Sequence, residues 1–471
     1  MEKSHLVGIF RVLEKKELRE LRKWLNSPAH NQRQDVVDMF EYLVAGSHLS
    51  SEKHLEKERV FQAIFPDKAY NDAEMRQVMH FLLKAVEEFL LYNELLKDEV
   101  RAQTMLAKVY RQRKLTKQFQ KTLDGGWAIL RQQPHRNHQH FENEYLLQYE
   151  QFNHLSTLGR TVPLNLQELS DSNDISFIIN KLQVGCIMLS HQKVFKTNYA
   201  LGLLDPSLAY VESHPELLEN PAIAIYYYTF KVSTDSSQEH FFQALKERIR
   251  QHGDLFPLTE IRSIYLFAIN YCIGKMNRGA FNYVREAFDL YQRGLSKEIF
   301  LENGQLSRFT FTNIVPIGLQ LKEYDWVRNF IEKYQHYLDE KHRESFAHFS
   351  MAQLNFETKN YKEAMQFIAR FDYDDILLML VAKTMLLKMY YELDEISALD
   401  SLIGSMKTYL QRKKVMGYHK DNYKNIIHYT HKMLKLAHYD KEQIQKLRQE
   451  IENANPLTER KWLLAQLDKL Q

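Results

Sequence analysis

The chain has 471 residues, a formal net charge of +3, 15 Gly and 10 Pro, where average usage of roughly 7% and 5% would supply about 33 and 24. Sheet-rich folds, doubly wound sheets and propellers consume Gly and Pro in their turns, so the shortage argues against all three and predicts an all-α chain with short loops. An apolar fraction of 44% and 58 Phe, Tyr and Trp residues exclude wholesale disorder and supply a large core, spread over two to four domains or one extended array.

Residues 1–99 read as an amino-terminal helical bundle. Met1 to Leu25 mixes Glu14, Lys15, Lys16, Glu17, Arg19, Glu20, Arg22 and Lys23 into its apolar repeat, which leaves no signal-peptide core. Phe10, Leu13, Leu18, Leu21 and Leu25 fall mostly three and four apart and predict one amphipathic helix. It ends near Asn26, since Ser27 precedes Pro28. A second helix is predicted from Gln34 to Val44, and a third from Leu55 to Phe65, stopped by Pro66-Asp67. Asn71-Asp72-Ala73-Glu74 is a start signal, with Asn71 placed to cap free amides and Glu74 to answer three residues later. The fourth helix then runs to about Lys97.

Residues 100–440 read as a succession of helix pairs. Thr104 to Leu130, Phe141 to Leu155 and Ile175 to Leu201 are helical by pattern. Asp124-Gly125-Gly126 interrupts the first of these and predicts a break or kink. The spacing is clearest over 345–378, a helix, a tight break at Thr358 to Asn360 and a second helix, with Ala352, Phe356, Tyr361, Ala364 and Ile368 at the key positions. Residues 379–412 repeat the arrangement with Leu386, Tyr390, Ala398 and Leu402. Small residues at Ala364 and Ala398 let paired helices approach closely, while larger ones fill the space between pairs. This resembles the tetratricopeptide repeat (TPR), a 34-residue helix-turn-helix unit. Ile261 to Gly294 and Phe309 to Leu338 look like degenerate units of the same kind. The resemblance implies a TPR-like α-solenoid, with residues 441–471, including Trp462, Leu463, Leu467 and Leu470, as carboxyl-terminal capping helices. It also implies a concave partner groove lined by Phe349, Gln353 and Phe356 in one unit and by Lys383, Leu387 and Tyr390 in the next.

No constellation points to catalysis, and no catalytic residue, metal site or cofactor is expected. There is no glycine loop of the Walker or dinucleotide type. His135, His138 and His140 with Glu142 and Glu144 lack the regular spacing of a zinc motif, and His428, His431 and His438 lack a carboxylate or thiol at helical spacing. Asp372, Asp374 and Asp375 resemble the opening of a calcium loop without its glycine and closing glutamate, and helix capping accounts for them. Cys186 and Cys272 stand apart without partners at metal or redox spacing, as buried thiols do in a reducing cytoplasm. No run of 18 uncharged apolar residues makes a membrane span.

Charge is unevenly placed. Residues 100–141 hold nine basic side chains, among them Lys108, Arg111, Arg113, Lys114, Lys117 and Lys121, against Asp124 alone. Residues 405–438 hold eight, among them Arg412, Lys413, Lys414, Lys420 and Lys424, against Asp421 alone. The stretch between is acidic. Solvated helix faces explain such belts, and so does attraction of a polyanion, an acidic protein or a second copy of the chain. Tyr110 and Phe119 in the first belt, and Tyr409, Tyr418, Tyr423 and Tyr429 in the second, are candidates for stacking on RNA bases.

The leading expectation is therefore a non-enzymatic scaffold that binds a protein or peptide in a TPR-like groove. Nucleic-acid binding through the belts is the alternative. A third reading, by likeness of layout to bacterial peptide-responsive regulators, makes the amino-terminal bundle an output module.

Overall fold

The computed structural model describes residues 1–195, 197–234, 239–371, 376–412, 417–436 and 440–470. Asp372, Asp374, Asp375, Lys413, Lys414, His438 and the Tyr418 side chain lie outside what is described. The all-α class holds. The one ladder among the described residues is a two-residue pairing of β1 (Leu301–Glu302) with β2 (Gln305–Leu306). It closes through Asn303-Gly304, both at positive φ (50° and 75°), as a two-residue hairpin turn requires.

The chain divides into two units, Met1–Ile223 and Ala224–Gln471. The first contains α1 (His5–Phe10), α2 (Lys15–Leu25), α3 (Gln34–Val44), α4 (Lys57–Ile64), α5 (Asp72–Lys97), α6 (Glu99–Gln112), α7 (Thr116–Gln132), α8 (His138–Leu155), α9 (Leu166–Phe195) and α10 (Leu204–Ser213). The single opening helix expected from the apolar spacing is two. Ser4 caps α1 by accepting from the Val7 amide, and the Glu17 carboxylate takes the Glu14 amide at 2.8 Å to start α2 afresh. Asn71 caps α5, its side chain accepting from the amides of Ala73 and Glu74. Glu74 does not return the favour, because its carboxylate pairs with Lys68 at 2.6 Å. One apolar core, including Phe10, Phe40, Phe61, Val78, Leu82 and Phe89, is drawn wholly from α1–α5 and their connections. A second, smaller one joins Val100, Ala107, Phe119, Leu123, Leu130 and Leu147 from α6–α8. The break expected at Asp124-Gly125-Gly126 is absent, and α7 runs through it. Gly126 is there for close packing, since a Cβ would meet Leu147 of α8 at 2.9 Å.

Most of α11 (Pro221–Thr234) belongs to the second unit, with α12 (Glu239–His252), α13 (Leu258–Met276), α14 (Tyr283–Ser296), α15 (Arg308–Gln320), α16 (Tyr324–Tyr334), α17 (Arg343–Glu357), α18 (Tyr361–Ala369), α19 (Ile376–Glu392), α20 (Ile396–Arg412), α21 (Gly417–Leu434), α22 (Lys441–Asn453) and α23 (Arg460–Asp468). Helices α13 and α14, α15 and α16, α17 and α18, and α19 and α20 pack as consecutive pairs. Helix α15 also lies against α17, and α17 against α19. Phe349, Phe356, Tyr361, Ala364, Ile368 and Phe371 share a core with Ala382, Met385 and Met389 of α19. The next core combines α19–α21 with Ile444, Leu447 and Ile451 of α22 and Leu463 and Leu467 of α23.

The turns explain how so many helices need so little glycine. At the ends of α6, α13, α14, α15, α17 and α19 the residue after the last turn is left-handed, and the following amide returns to the carbonyl five residues back, as in Leu115 to Tyr110, Glu323 to Gly318, Asn360 to Asn355 and Glu395 to Tyr390. Glycine is the usual occupant of that position. Here Gly279 is the one glycine among six, beside Lys114, Glu298, Lys322, Lys359 and Asp394 at φ between 56° and 62°.

Candidate functional site

The six residues expected to line a groove divide. Phe349, Phe356 and Leu387 are 2%, 6% and 0% exposed, so they are core and not groove surface. Phe349 packs on Phe371 at a ring separation of 4.9 Å and Phe356 stacks on Tyr361 at 5.7 Å. The reason is that α17 is covered on several sides, by α15, α16, α18 and α19, so little of it is left to face a ligand. Gln353, Lys383 and Tyr390 are half-buried. Lys383 donates to Ser405 Oγ at 3.4 Å and lies 5.8 Å over the Tyr409 ring. The buried Gln353 Oε1 has no hydrogen-bond partner among the described residues.

A different set converges where the α17–α18 turn meets the end of α19. The Glu392 carboxylate, 11% exposed, accepts from the Tyr361 hydroxyl at 2.5 Å and Lys359 Nζ at 2.9 Å through one oxygen. Through the other it accepts from Trp462 Nε1 at 2.8 Å and Gln466 Nε2 at 3.5 Å. Burial acts to raise the Glu392 pKa, but the bonds from Tyr361, Trp462 and Lys359 outweigh it and hold the carboxyl below its ordinary range. One turn earlier, Lys388 is 12% exposed and pairs with Glu459 at 2.8 Å. Its ammonium stands 4.7 Å from the Phe356 ring centre and 5.8 Å from that of Trp462. Helix α23 is thus seated on α19 by an acid, an indole and an amide. It also touches the α13–α14 turn, where Lys461 Nζ lies 4.2 Å over Phe281. Sequence spacing missed this cluster because the donors to Glu392 come from positions 31 to 74 residues away. The available hint was Trp462 beside the leucines of the closing segment.

The first basic belt is a tip. Lys108, Arg113, Lys114, Lys117 and Lys121 are exposed around the α6–α7 turn, and none has an acidic partner within 4 Å among the described residues. Arg111 is a correction to that set, because its Nε donates to Glu150 Oε1 at 2.5 Å and Glu150 is buried. Phe119 is 0% exposed and cannot stack on a base. In the second belt, Arg412 is exposed and Lys420 half-exposed, while Lys424 lies 3.9 Å from Asp421 and Lys432 pairs with Glu450 at 2.5 Å. Tyr423 is buried and the Tyr429 hydroxyl donates to the Glu450 carbonyl.

Of the histidines near residue 138, His140 alone is buried, while His135 is exposed and His138 half-buried. His140 is 8% exposed and burial, helped by Arg136, pushes its pKa down to about 4. Asn143 donates to Asp98, which also caps α6. Among the described residues no three His, Cys, Asp or Glu side chains are grouped to hold a metal, and no helix is long and apolar enough to cross a membrane. Cys186 and Cys272 are buried thiols, not joined in a disulfide, whose pKa values burial raises.

No protein-family model, no curated protein and no solved structure matches the chain.

Proposed function

We propose that the chain is a non-enzymatic, cytoplasmic protein-interaction scaffold whose second unit is a TPR-like array that binds a protein or peptide. The observation that carries the reading is the packing order in that unit. Helix α15 lies on α17 and α17 on α19, while α16 and α18 each contact the first helix of the following pair. Stacked pairs of this kind present the first helices side by side and suit an extended binding face. On α19 the accessible part of that face is the half-buried Lys383 and Tyr390, while α23 covers the Lys388–Glu392 edge. Affinity purification of the wild type and of a Lys383→Glu/Tyr390→Ala double variant, with and without RNase, tests it. A protein retained after RNase and lost from the variant supports the proposal. Capture that RNase abolishes, or that the variant leaves unchanged, overturns it.

The unpaired tip cations favour one second reading, binding of a nucleic acid at the α6–α7 turn. Five phosphate contacts would give an affinity falling steeply with salt. Filter retention of RNA or DNA at low salt, reduced by Lys114→Ala/Lys117→Ala/Lys121→Ala, is the expected result, and no retention at low salt overturns it.

A further inference from the structure

We propose that α23 is a displaceable, built-in ligand of the α17–α19 edge, and that the partner of this edge in trans is an amphipathic helix carrying the same side-chain pattern. The inference deepens the scaffold reading and rests on it. Trp462 and Gln466 are four positions apart on one face of α23, and Glu459 is the capping-position residue just before its first turn. Together they meet a complementary set: Glu459 on Lys388, the Trp462 N–H and the Gln466 amide on Glu392. Leu463 and Leu467 follow each of the last two by one residue and insert into the core beneath. An acid, an indole and two leucines at this spacing therefore define what the edge recognises.

The receptor half is held independently of α23. Tyr361 and Lys359 fix one oxygen of Glu392, and the Phe356 ring lies under Lys388. Helix α23, by contrast, is short, and of its nine residues only Leu463, Gln466 and Leu467 are buried. The residue that leads into it, Glu459, is at φ 57°, a left-handed conformation that disfavours a non-glycine residue. Asp468 to Arg448 and the Pro456 carbonyl to Asn425 tether its two ends to α22 and α21. The arrangement is a strap fastened at both ends over a preformed seat, and a competing helix with the same pattern gains what the strap loses.

The test uses the full chain and a labelled peptide of residues 455–471. With the strap closed, the peptide meets a seat that is free only in the fraction of molecules whose α23 is off, and its apparent affinity falls by that fraction. The Glu459→Lys/Trp462→Ala variant is expected to bind the peptide at least about tenfold tighter than the wild type. Adding Lys388→Glu should abolish the gain. Equal affinity for wild type and loosened variant, or binding that ignores Lys388→Glu, overturns the proposal. Hydrogen exchange on the unmodified chain gives a second readout that needs no variant. Amides of 460–468 should exchange at least about tenfold faster than those of 422–434, and equal protection overturns the proposal. A cellular partner captured equally by the wild type and the loosened variant overturns the strap and leaves the scaffold reading standing. Peptide binding without any cellular partner leaves the strap standing and overturns the partner in trans together with the scaffold reading.

Discussion

Trp462 Nε1 donates to Glu392 Oε1 at 2.8 Å, so a carboxylate at the end of α19 holds an indole 70 residues downstream. Removing the acceptor and removing one donor have different consequences. Glu392→Ala leaves the Tyr361 hydroxyl, the Lys359 ammonium and the indole N–H without their common acceptor, and is expected to destabilise the second unit by about 2–4 kcal/mol. Trp462→Phe deletes one donor and keeps most of the ring, so about 1 kcal/mol is expected. Urea midpoints of the two variants check the order, and a larger loss in Trp462→Phe would contradict it.

The left-handed lysines make a prediction of opposite sign. Lys322 sits at φ 61° after α15, with the Glu323 amide returned to the Gly318 carbonyl at 3.0 Å. A non-glycine residue there carries a penalty of about 1 kcal/mol, partly offset by the greater chain entropy that glycine loses on folding. Lys322→Gly is expected to raise the thermal midpoint, by a free energy of roughly 0.5 kcal/mol, and Lys322→Val to lower it, because a β-branched side chain tolerates positive φ least. Scanning calorimetry of both variants decides.

These turns also show what was legible in the sequence and why. Helix-forming stretches with strong local signals were readable: Gln34 to Val44 and the Asn71 start of α5 fall where spacing and capping chemistry put them. The pairs over 345–412 were readable too, since each turn is local. What failed was non-local. Phe349, Phe356 and Leu387 have the right spacing for a groove, yet residues of α18 and α19 pack over the first two and residues of α20 and α21 over the third, and no pattern within α17 or α19 alone reports that. Arg111 resembles the lysines beside it until Glu150, 39 positions on, claims it. The Glu392 seat was invisible for the same reason, because its meaning depends on which distant donors reach it.

Two glycines in helices should respond oppositely to alanine. Gly125 stands in the interior of α7, and a Cβ added there would have nothing within 4 Å, so Gly125→Ala is expected to stabilise by up to about 1 kcal/mol through helix propensity alone. A Cβ on Gly318 in α15 would instead meet Val327 Cγ2 at 2.5 Å and Phe288 Cε2 at 3.3 Å. Val327 is β-branched and 0% exposed, so it cannot turn aside. Gly318→Ala is expected to destabilise by about 1–3 kcal/mol despite the gain in propensity. Chemical denaturation of the pair is the check, and stabilisation by both would show that α15 and α16 have room to part.

Arg111 and its neighbours separate structure from surface charge. Glu150 is 6% exposed and has Arg111 as its ion-pair partner at 2.5 Å. Arg111→Ala therefore strands a buried carboxylate, and a loss of about 3–5 kcal/mol is expected in the first unit. Lys117→Ala, at an exposed and unpaired position, should change stability by less than about 0.5 kcal/mol. Circular dichroism melts of the two variants at one pH distinguish them. Equal effects would mean that the Glu150 carboxylate finds water or another donor when Arg111 is gone.

His140 gives the first unit a dependence on acid that carboxylates alone would not. Its folded pKa is pushed down to about 4 by burial and by Arg136, against about 6.5 in an unfolded chain. Below pH 6.5 the unfolded chain takes up a proton at this site that the folded chain refuses, so stability falls from about pH 6.5 and stops falling through this group near pH 4. The contribution lost is on the order of 3 kcal/mol. Glu392 belongs to a lower window in the other unit, since its depressed pKa contributes stability above the ordinary carboxylate range that is lost only as pH falls through it. Between pH 7 and pH 5 the two are separable. Replacing the ring by a neutral amide, His140→Gln, is expected to lower stability at pH 7 while flattening the pH dependence of the first unit over that interval. Hydrogen exchange of the α7 and α8 amides at pH 7 and pH 5, corrected for the intrinsic rate, measures it site by site. A wild type and variant with parallel pH dependence would show that His140 is protonated in the folded chain.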